Sequence, residues 1–239
     1  MKAFLEGPFN EGTSLMKDDL RSSGIIPLSH PYAEAPFGHG GDETMEEDVL
    51  QITGANAIVD RVLLELRDAN APSTVRASRA ALIQRNGDIT DVDGVSPVSF
   101  AEAPGSYKIV LRHRNHLGVM TNEAFQFDPN SVVAADLSLP STSTYGTQAR
   151  TEKSGVMLLW KGDGNSDGNV SYTGVGNDRD KILMTVGGWI PTNIVAGYDN
   201  ADLDLDGVVK YAGTDSDRDL ILDSIGGVIP TNVREEQLP

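Results

Sequence analysis

The C-terminal part of the chain repeats itself. A block beginning at Asp163 recurs at Asp202 with a period of 39 residues and no gap, so that Asp163, Asp167, Gly168, Val170 and Tyr172 return as Asp202, Asp206, Gly207, Val209 and Tyr211. Further on, Asp178-Arg179-Asp180 returns as Asp217-Arg218-Asp219, and Ile190-Pro191-Thr192-Asn193 as Ile229-Pro230-Thr231-Asn232. A duplication of this length implies two copies of one local structure packed on each other, each covering apolar surface that the other leaves open. Residues 156–239 are therefore expected to form one unit. With 239 residues in all, residues 1–137 are long enough to bury a second core. The small, polar stretch 138–155 is expected to be a linker or extended arm.

Each copy opens with oxygen-bearing side chains at alternate positions followed by glycine: Asp163, Asn165, Asp167 and Gly168, then Asp202, Asp204, Asp206 and Gly207. This is the opening of an EF-hand-type loop. Calcium takes six to eight oxygens at roughly 2.3–2.6 Å, which turns alternate residues inward, and the glycine permits the sharp bend. Position 7, Asn169 or Val208, is expected to offer its carbonyl. Val170 and Val209 at position 8 are expected to pair the two loops through a short β-contact.

The pattern departs from an EF-hand at position 12, where Gly174 and Gly213 stand in place of a closing acid. A short insertion moves that acid to Asp178 and Asp217 or to Asp180 and Asp219. The first pair is favoured, because each begins a helix with an apolar face (Ile182, Leu183, Val186; Ile221, Leu222, Ile225) that Gly-Gly terminates, and an acid suits the positive end of the helix dipole. The ordinary alternative is an acidic, solvated repeat. Against it, six aspartates crowd into residues 202–219, a repulsion that a bound cation offsets. Two calcium ions are therefore expected, with a structural role.

These residues resemble tandem type I dockerin repeats in a long-loop variant found at the C-termini of large secreted proteins of Bacteroidota-like bacteria. The resemblance covers roughly residues 156–239 and implies a small α-helical domain carrying two EF-hand-type calcium loops. Segments such as Leu63–Asp68, Gln84–Asp88 and Arg112–Gly118 look like the β-rich region that accompanies such repeats. Cohesin docking is not implied, since the inserted loop occupies the usual contact positions and no Lys-Arg pair follows.

Residues 1–130 read as all-β. Lys2–Leu5, Ala57–Leu66, Val75–Gln84, Val98–Phe100, Tyr107–His113 and Ala124–Phe127 are the candidate strands, and Val62, Leu64 and Leu66 alternate with Leu63, Glu65 and Arg67 as in a half-buried strand. Asn86-Gly87 predicts a type I′ hairpin turn. Strands punctuated by turns in this way predict a β-sandwich. Ser22–Asp48, rich in proline and glycine, is expected to run over its surface.

Acidic residues outnumber basic ones 35 to 19, a net charge of −16, which excludes the cationic surface a nucleic acid requires. With no cysteine, disulfides and thiolate metal sites are excluded. No apolar run approaches the ~20 residues of a membrane span. No catalytic signature occurs, so an enzyme is not expected. Arg112, His113, Arg114, Asn115 and His116 form the one basic, His-containing cluster, which suits either a sugar or anion site or, as strand alternation favours for His113, a hydrogen-bonded core or strand-end histidine. His30 and His39 fall outside recognised zinc spacings, and Asp91-Val92-Asp93-Gly94 reads as a turn.

The expected function is that of a secreted or cell-surface calcium-binding structural module. It would self-associate into a fibre or matrix, or join another surface protein in an adhesin. The alternative is a docking or polysaccharide-binding end of a larger secreted enzyme or hemagglutinin.

Overall fold

A computed structural model describes residues 1–129 and 132–239. Near the start, β1 (Phe9–Asn10) pairs with β2 (Leu15–Met16), and one helical turn follows, α1 (Asp19–Ser22). After a long irregular excursion come β3 (Ile58–Asp68), β4 (Val75–Gln84), β5 (Ile89–Thr90), β6 (Gly105–Arg112), β7 (Val119–Met120) and β8 (Phe125–Phe127). These six form one antiparallel sheet in the order β5-β4-β3-β6-β7, with β8 also pairing with β6.

The expected β-sandwich is overturned, because the main sheet is covered by the N-terminal segment and a two-stranded hairpin over 150–159 on one face and by an irregular excursion on the other, not by a second large sheet. On one face Val62, Leu64 and Leu66 of β3 join Ile109 and Leu111 of β6 in the main core, covered by Phe4, Leu5, Leu137, Leu158 and Leu159. On the other face Leu63 and Ala80 lie under Tyr32 and Phe37 of the proline-rich excursion. Tyr32 donates its hydroxyl to the Arg61 carbonyl at 2.7 Å, and the Arg61 guanidinium donates to the carbonyls of Pro27 and Leu28. Strand β3 is thus buried on both faces, where alternation alone predicts one.

Four predicted strands are present as β3, β4, β6 and β8. Lys2–Leu5 makes only isolated bridges, to Asp88, Asp136 and Leu159, since it threads between several partners instead of lying along one. Val98–Phe100 is irregular, flanked by Pro97 and Pro104, which donate no backbone hydrogen bond. At Asn86-Gly87 only the glycine has positive φ (+85°), so the hairpin closes by a type I turn with Gly87 left-handed in place of type I′.

Strands β9 (Arg150–Lys153) and β10 (Val156–Leu159) form a hairpin across Ser154 and Gly155, both at positive φ. The first repeat then supplies β11 (Asn169–Ser171), α2 (Asp178–Thr185) and β12 (Ile194–Ala196), and the second β13 (Val208–Lys210), α3 (Asp217–Ser224) and β14 (Val233–Glu235). This is not the expected dockerin-like helical domain. Each copy holds one eight-residue helix and two short strands, and the segment leading into each loop is extended or turned. The helices do end as expected: Gly188 N donates to Leu183 O and Gly187 N to Met184 O, the paired bonds of a Schellman cap. Proline at 191 and 230 then blocks further helix.

The predicted pairing of Val170 with Val209 is replaced by a reciprocal exchange. Strand β11 of the first copy pairs with β14 of the second, and β13 of the second with β12 of the first. Val170 and Val209 still meet in one core with Ile182, Val186, Ile221 and Ile225. That core also takes in Leu117 from the sheet region, while Leu205 of the second repeat is buried in the main core. Among the described residues no helix is long and apolar enough to cross a membrane.

Candidate metal centre

The two loops have the same backbone. Ser166 and Leu205 at position 4 both adopt φ +60°, and Gly168 and Gly207 at position 6 adopt +82° and +84°. Left-handed residues two apart curl the chain so that the intervening side chains converge; for Leu205 this conformation is costly, and its burial in the main core offsets the strain.

Amide donors then aim each carboxylate. Asp163 accepts from Asp167 N at 2.9 Å and Gly168 N at 3.0 Å, and Asp202 accepts from Asp206 N at 3.1 Å and Gly207 N at 2.9 Å. At position 3, Asn165 and Asp204 accept from the same Asp167 and Asp206 amides, and at position 5 Asp167 and Asp206 accept from Asn169 N and Val208 N. The carbonyls of Gly168 and Gly207 enter the ladder, accepting from Glu236 N at 2.7 Å and Gly197 N at 3.0 Å. Carbonyls alternate along a strand, so those of Asn169 and Val208 point away from the paired strands.

Geometry decides between the two closing acids. Asp217 accepts from Leu203 N and Lys210 N, both at 2.7 Å, and Asp178 accepts from Ser171 N at 2.8 Å; each carboxylate thereby spans its loop from the helix start. Asp180 and Asp219 point outward, with side chains 54% and 53% exposed, and pair with Arg179 and Arg218. Those arginines lie over Tyr172 and Tyr211, which occupies both acids in a surface cluster. Asp180 and Asp219 are therefore corrected out of the candidate ligand set.

The remaining donors suit a hard cation. Carboxylate oxygens of Asp202, Asp204 and Asp217 lie within 4.8 Å of one another. Burial pushes Asp202 up to about 8, with the Asp217 and Asp204 charges adding to it against the pull of Arg114. Burial also holds Asp178 and Asp217 at about 7 against their backbone hydrogen bonds, and it raises Asp204. Asp163 is raised well above the usual carboxylate range by burial and by the Asp178 charge. A bound cation would offset the cost of keeping these buried carboxylates ionised. An all-oxygen set fits calcium, and Asn165 leaves the first loop one carboxylate poorer than the second.

No protein-family model, curated protein or solved structure matches the chain.

Sequence reasoning missed what anchors the loops. Asp60, fully buried, accepts from Arg61 N (2.7 Å), His113 Nε2 (3.1 Å), Arg114 Nε (3.0 Å) and the Tyr198 hydroxyl (2.7 Å). Arg114 also donates to Asp199 O, Asn115 Nδ2 to Asn200 O at 3.0 Å, and Ser166 Oγ to Arg114 O at 2.6 Å. Residues 113–116 therefore grip both loops from the sheet side. The sequence held no distinct signal for it, since Asp60 is one of five charged residues in β3, beside Arg61, Glu65, Arg67 and Asp68. Asp91 and Asp93 form a turn as expected, Asp93 accepting from Val95 N and Ser96 N.

Proposed function

We propose that the chain is a secreted or cell-surface structural module, not an enzyme, in which two calcium ions lock the repeats to each other and to the sheet. The observation that carries this reading is a pair of loops 39 residues apart whose first aspartates accept the same two backbone amides, with the carboxylate oxygens of Asp202, Asp204 and Asp217 within 4.8 Å of one another in the second. One cage is built from Asp163, Asn165, Asp167 and Asp178, with the Asn169 carbonyl. The other is built from Asp202, Asp204, Asp206 and Asp217, with the Val208 carbonyl. Bound calcium supplies charge neutralisation at these oxygens. The resemblance to dockerin repeats supports the loops alone, not a dockerin domain.

Assembly into a surface fibre, adhesin or matrix is part of the same reading. Its support is an apolar surface repeated by the duplication, with Trp189, Ile190 and Ile194 exposed in one copy and Val228, Ile229 and Val233 in the other. Exposed apolar clusters of this kind are commonly covered by a partner. Calorimetric titration of demetallated protein tests the core of the proposal. Two calcium ions per chain are expected, and a stoichiometry of zero rejects it.

A further inference from the structure

The excursion that covers the second face of the sheet brings three metal-ligating side chains together. An isolated antiparallel bridge between Ser29 and Thr44 closes its base, setting His30 beside Glu43. His39 N donates to Tyr32 O at 2.8 Å, folding the middle of the loop back over that base. Sequence spacing concealed this convergence, since nine residues separate the two histidines in the chain.

His39 Nε2 lies 2.7 Å from Glu43 Oε2, and His30 Nε2 lies 4.0 Å from the same oxygen. The three donor atoms fall within 4.8 Å of one another, on side chains only 6%, 3% and 9% exposed for His30, His39 and Glu43. Bonds of about 2.0–2.1 Å place two donors of a tetrahedral zinc roughly 3.4 Å apart. The observed 2.7 and 4.0 Å bracket that separation, so small side-chain rotations seat all three on one ion.

Strand β4 holds the ligands from behind. His39 Nδ1 is 2.8 Å from Ser78 Oγ, and Arg79 Nη1 is 3.6 Å from Glu43 Oε1. Such outer partners orient metal ligands and fix the imidazole tautomer. Gly41 keeps the front clear: a Cβ there would stand 2.2 Å from Glu43 Oε2 and 2.4 Å from His39 Nε2.

We propose that His30, His39 and Glu43 form a site for one transition-metal cation of the zinc class, chemically distinct from the oxygen-lined loops. Two imidazoles and one carboxylate favour zinc over calcium and leave a fourth position for water. On binding, each ring carries its proton on Nδ1. His39 then donates to Ser78 Oγ. His30 exchanges its Gly41 O and Tyr32 N contacts, at 2.9 and 3.1 Å, for the metal bond.

The test uses the full chain in saturating calcium, with Co2+ as the probe and Zn2+ as competitor. One equivalent of Co2+ is expected to bind with the visible absorption of a tetrahedral site, and one equivalent of Zn2+ to bleach it. His30→Gln and His39→Gln should each abolish the absorption while leaving the calcium count and the circular dichroism unchanged. Absence of any cobalt absorption in the unsubstituted chain overturns the proposal, as does absorption that persists in both variants. A chain that binds no calcium yet shows this absorption upholds the site, so its fate is independent of the loops.

Discussion

Tyr198, in the turn that leads into the second repeat, donates its hydroxyl to Asp60 Oδ1 at 2.7 Å, although 138 residues separate them. The acceptor lies in β3, at the centre of the sheet, and is shared with Arg114 and His113. Arg114 also stacks on the Tyr198 ring, 4.2 Å from its centroid. A buried ion pair thus joins the sheet to the backbone that enters the second loop, since Arg114 donates to Asp199 O as well as to Asp60.

Removing that carboxylate leaves the Arg114 guanidinium buried without its anion. Asp60→Asn is expected to lower the unfolding free energy by about 3–5 kcal/mol, as for other broken buried pairs. Tyr198→Phe removes one hydrogen bond to a charged acceptor and should lose about 1.5–3 kcal/mol. Urea denaturation in saturating calcium measures both, and an Asp60→Asn variant as stable as the parent would show that the network is incidental.

The same network sets a pH response. Gly7 N donates to His116 Nε2, His116 Nδ1 faces His113 Nδ1 and Asn115 Oδ1, and His113 Nε2 faces Asp60, a chain of bonds that needs both rings neutral. Burial lowers both histidines, and adjacent positive charges lower His116 further. Unfolding therefore takes up protons once pH drops below the unfolded value of about 6.5. Their contribution is complete above that pH and falls by about 1.4 kcal/mol per unit per histidine below it. Burial alone would raise Asp60, but Arg114 and His113 hold it below its ordinary value, which adds a second loss beneath about pH 4. Denaturation at fixed, saturating calcium from pH 8 to 5 checks the first step; a flat profile would contradict neutral histidines in the fold.

The two acids of each helix start should behave differently. Asp178→Asn removes the carboxylate that spans the first loop, and Asp217→Asn its counterpart in the second. Each is expected to lose one calcium ion, with up to about 4 kcal/mol of calcium-linked stability at a ligand concentration roughly a thousandfold above Kd. Asp180→Asn and Asp219→Asn alter the surface clusters with Arg179 and Arg218, and at Asp180 also the bond from Asn177 Nδ2, and should keep both ions. Equal losses for all four variants in calorimetry would reject the assignment.

What the sequence disclosed was local and repeated. Loop positions 1, 3, 5 and 6, the helices at Asp178 and Asp217 and their Gly-Gly stops follow from residue type and spacing, since each depends on contacts within a few residues. What it concealed was long-range. Alternation in β3 carried no sign that Tyr32 and Phe37 cover its second face, because that cover comes from an irregular segment. The reciprocal pairing of β11 with β14 was equally hidden, for Val170 and Val209 read the same whether their strands meet each other or the ends of the opposite copy. His30 and His39 lacked any motif because a bridge between Ser29 and Thr44, not spacing, sets them together.

The seam between sheet and second loop gives the last prediction. Gly7 packs so closely that a Cβ on it would stand 2.1 Å from the carbonyl oxygen of Leu203, a backbone atom in the loop itself. Relief requires the loop or the N-terminal segment to move, since no flexible side chain is available to give way. The displaced segment carries Asp202 and Asp204, whose convergence with Asp217 makes the second cage, whereas the first cage touches the sheet through Ser166 and Arg114. Gly7→Ala should therefore weaken calcium binding at the second loop, lower the thermal midpoint and spare the first. Titrating this variant in an Asp163→Asn background isolates the second loop, and in an Asp202→Asn background the first. Unchanged affinity at the second loop would mean that the cage holds its shape without the sheet beneath it.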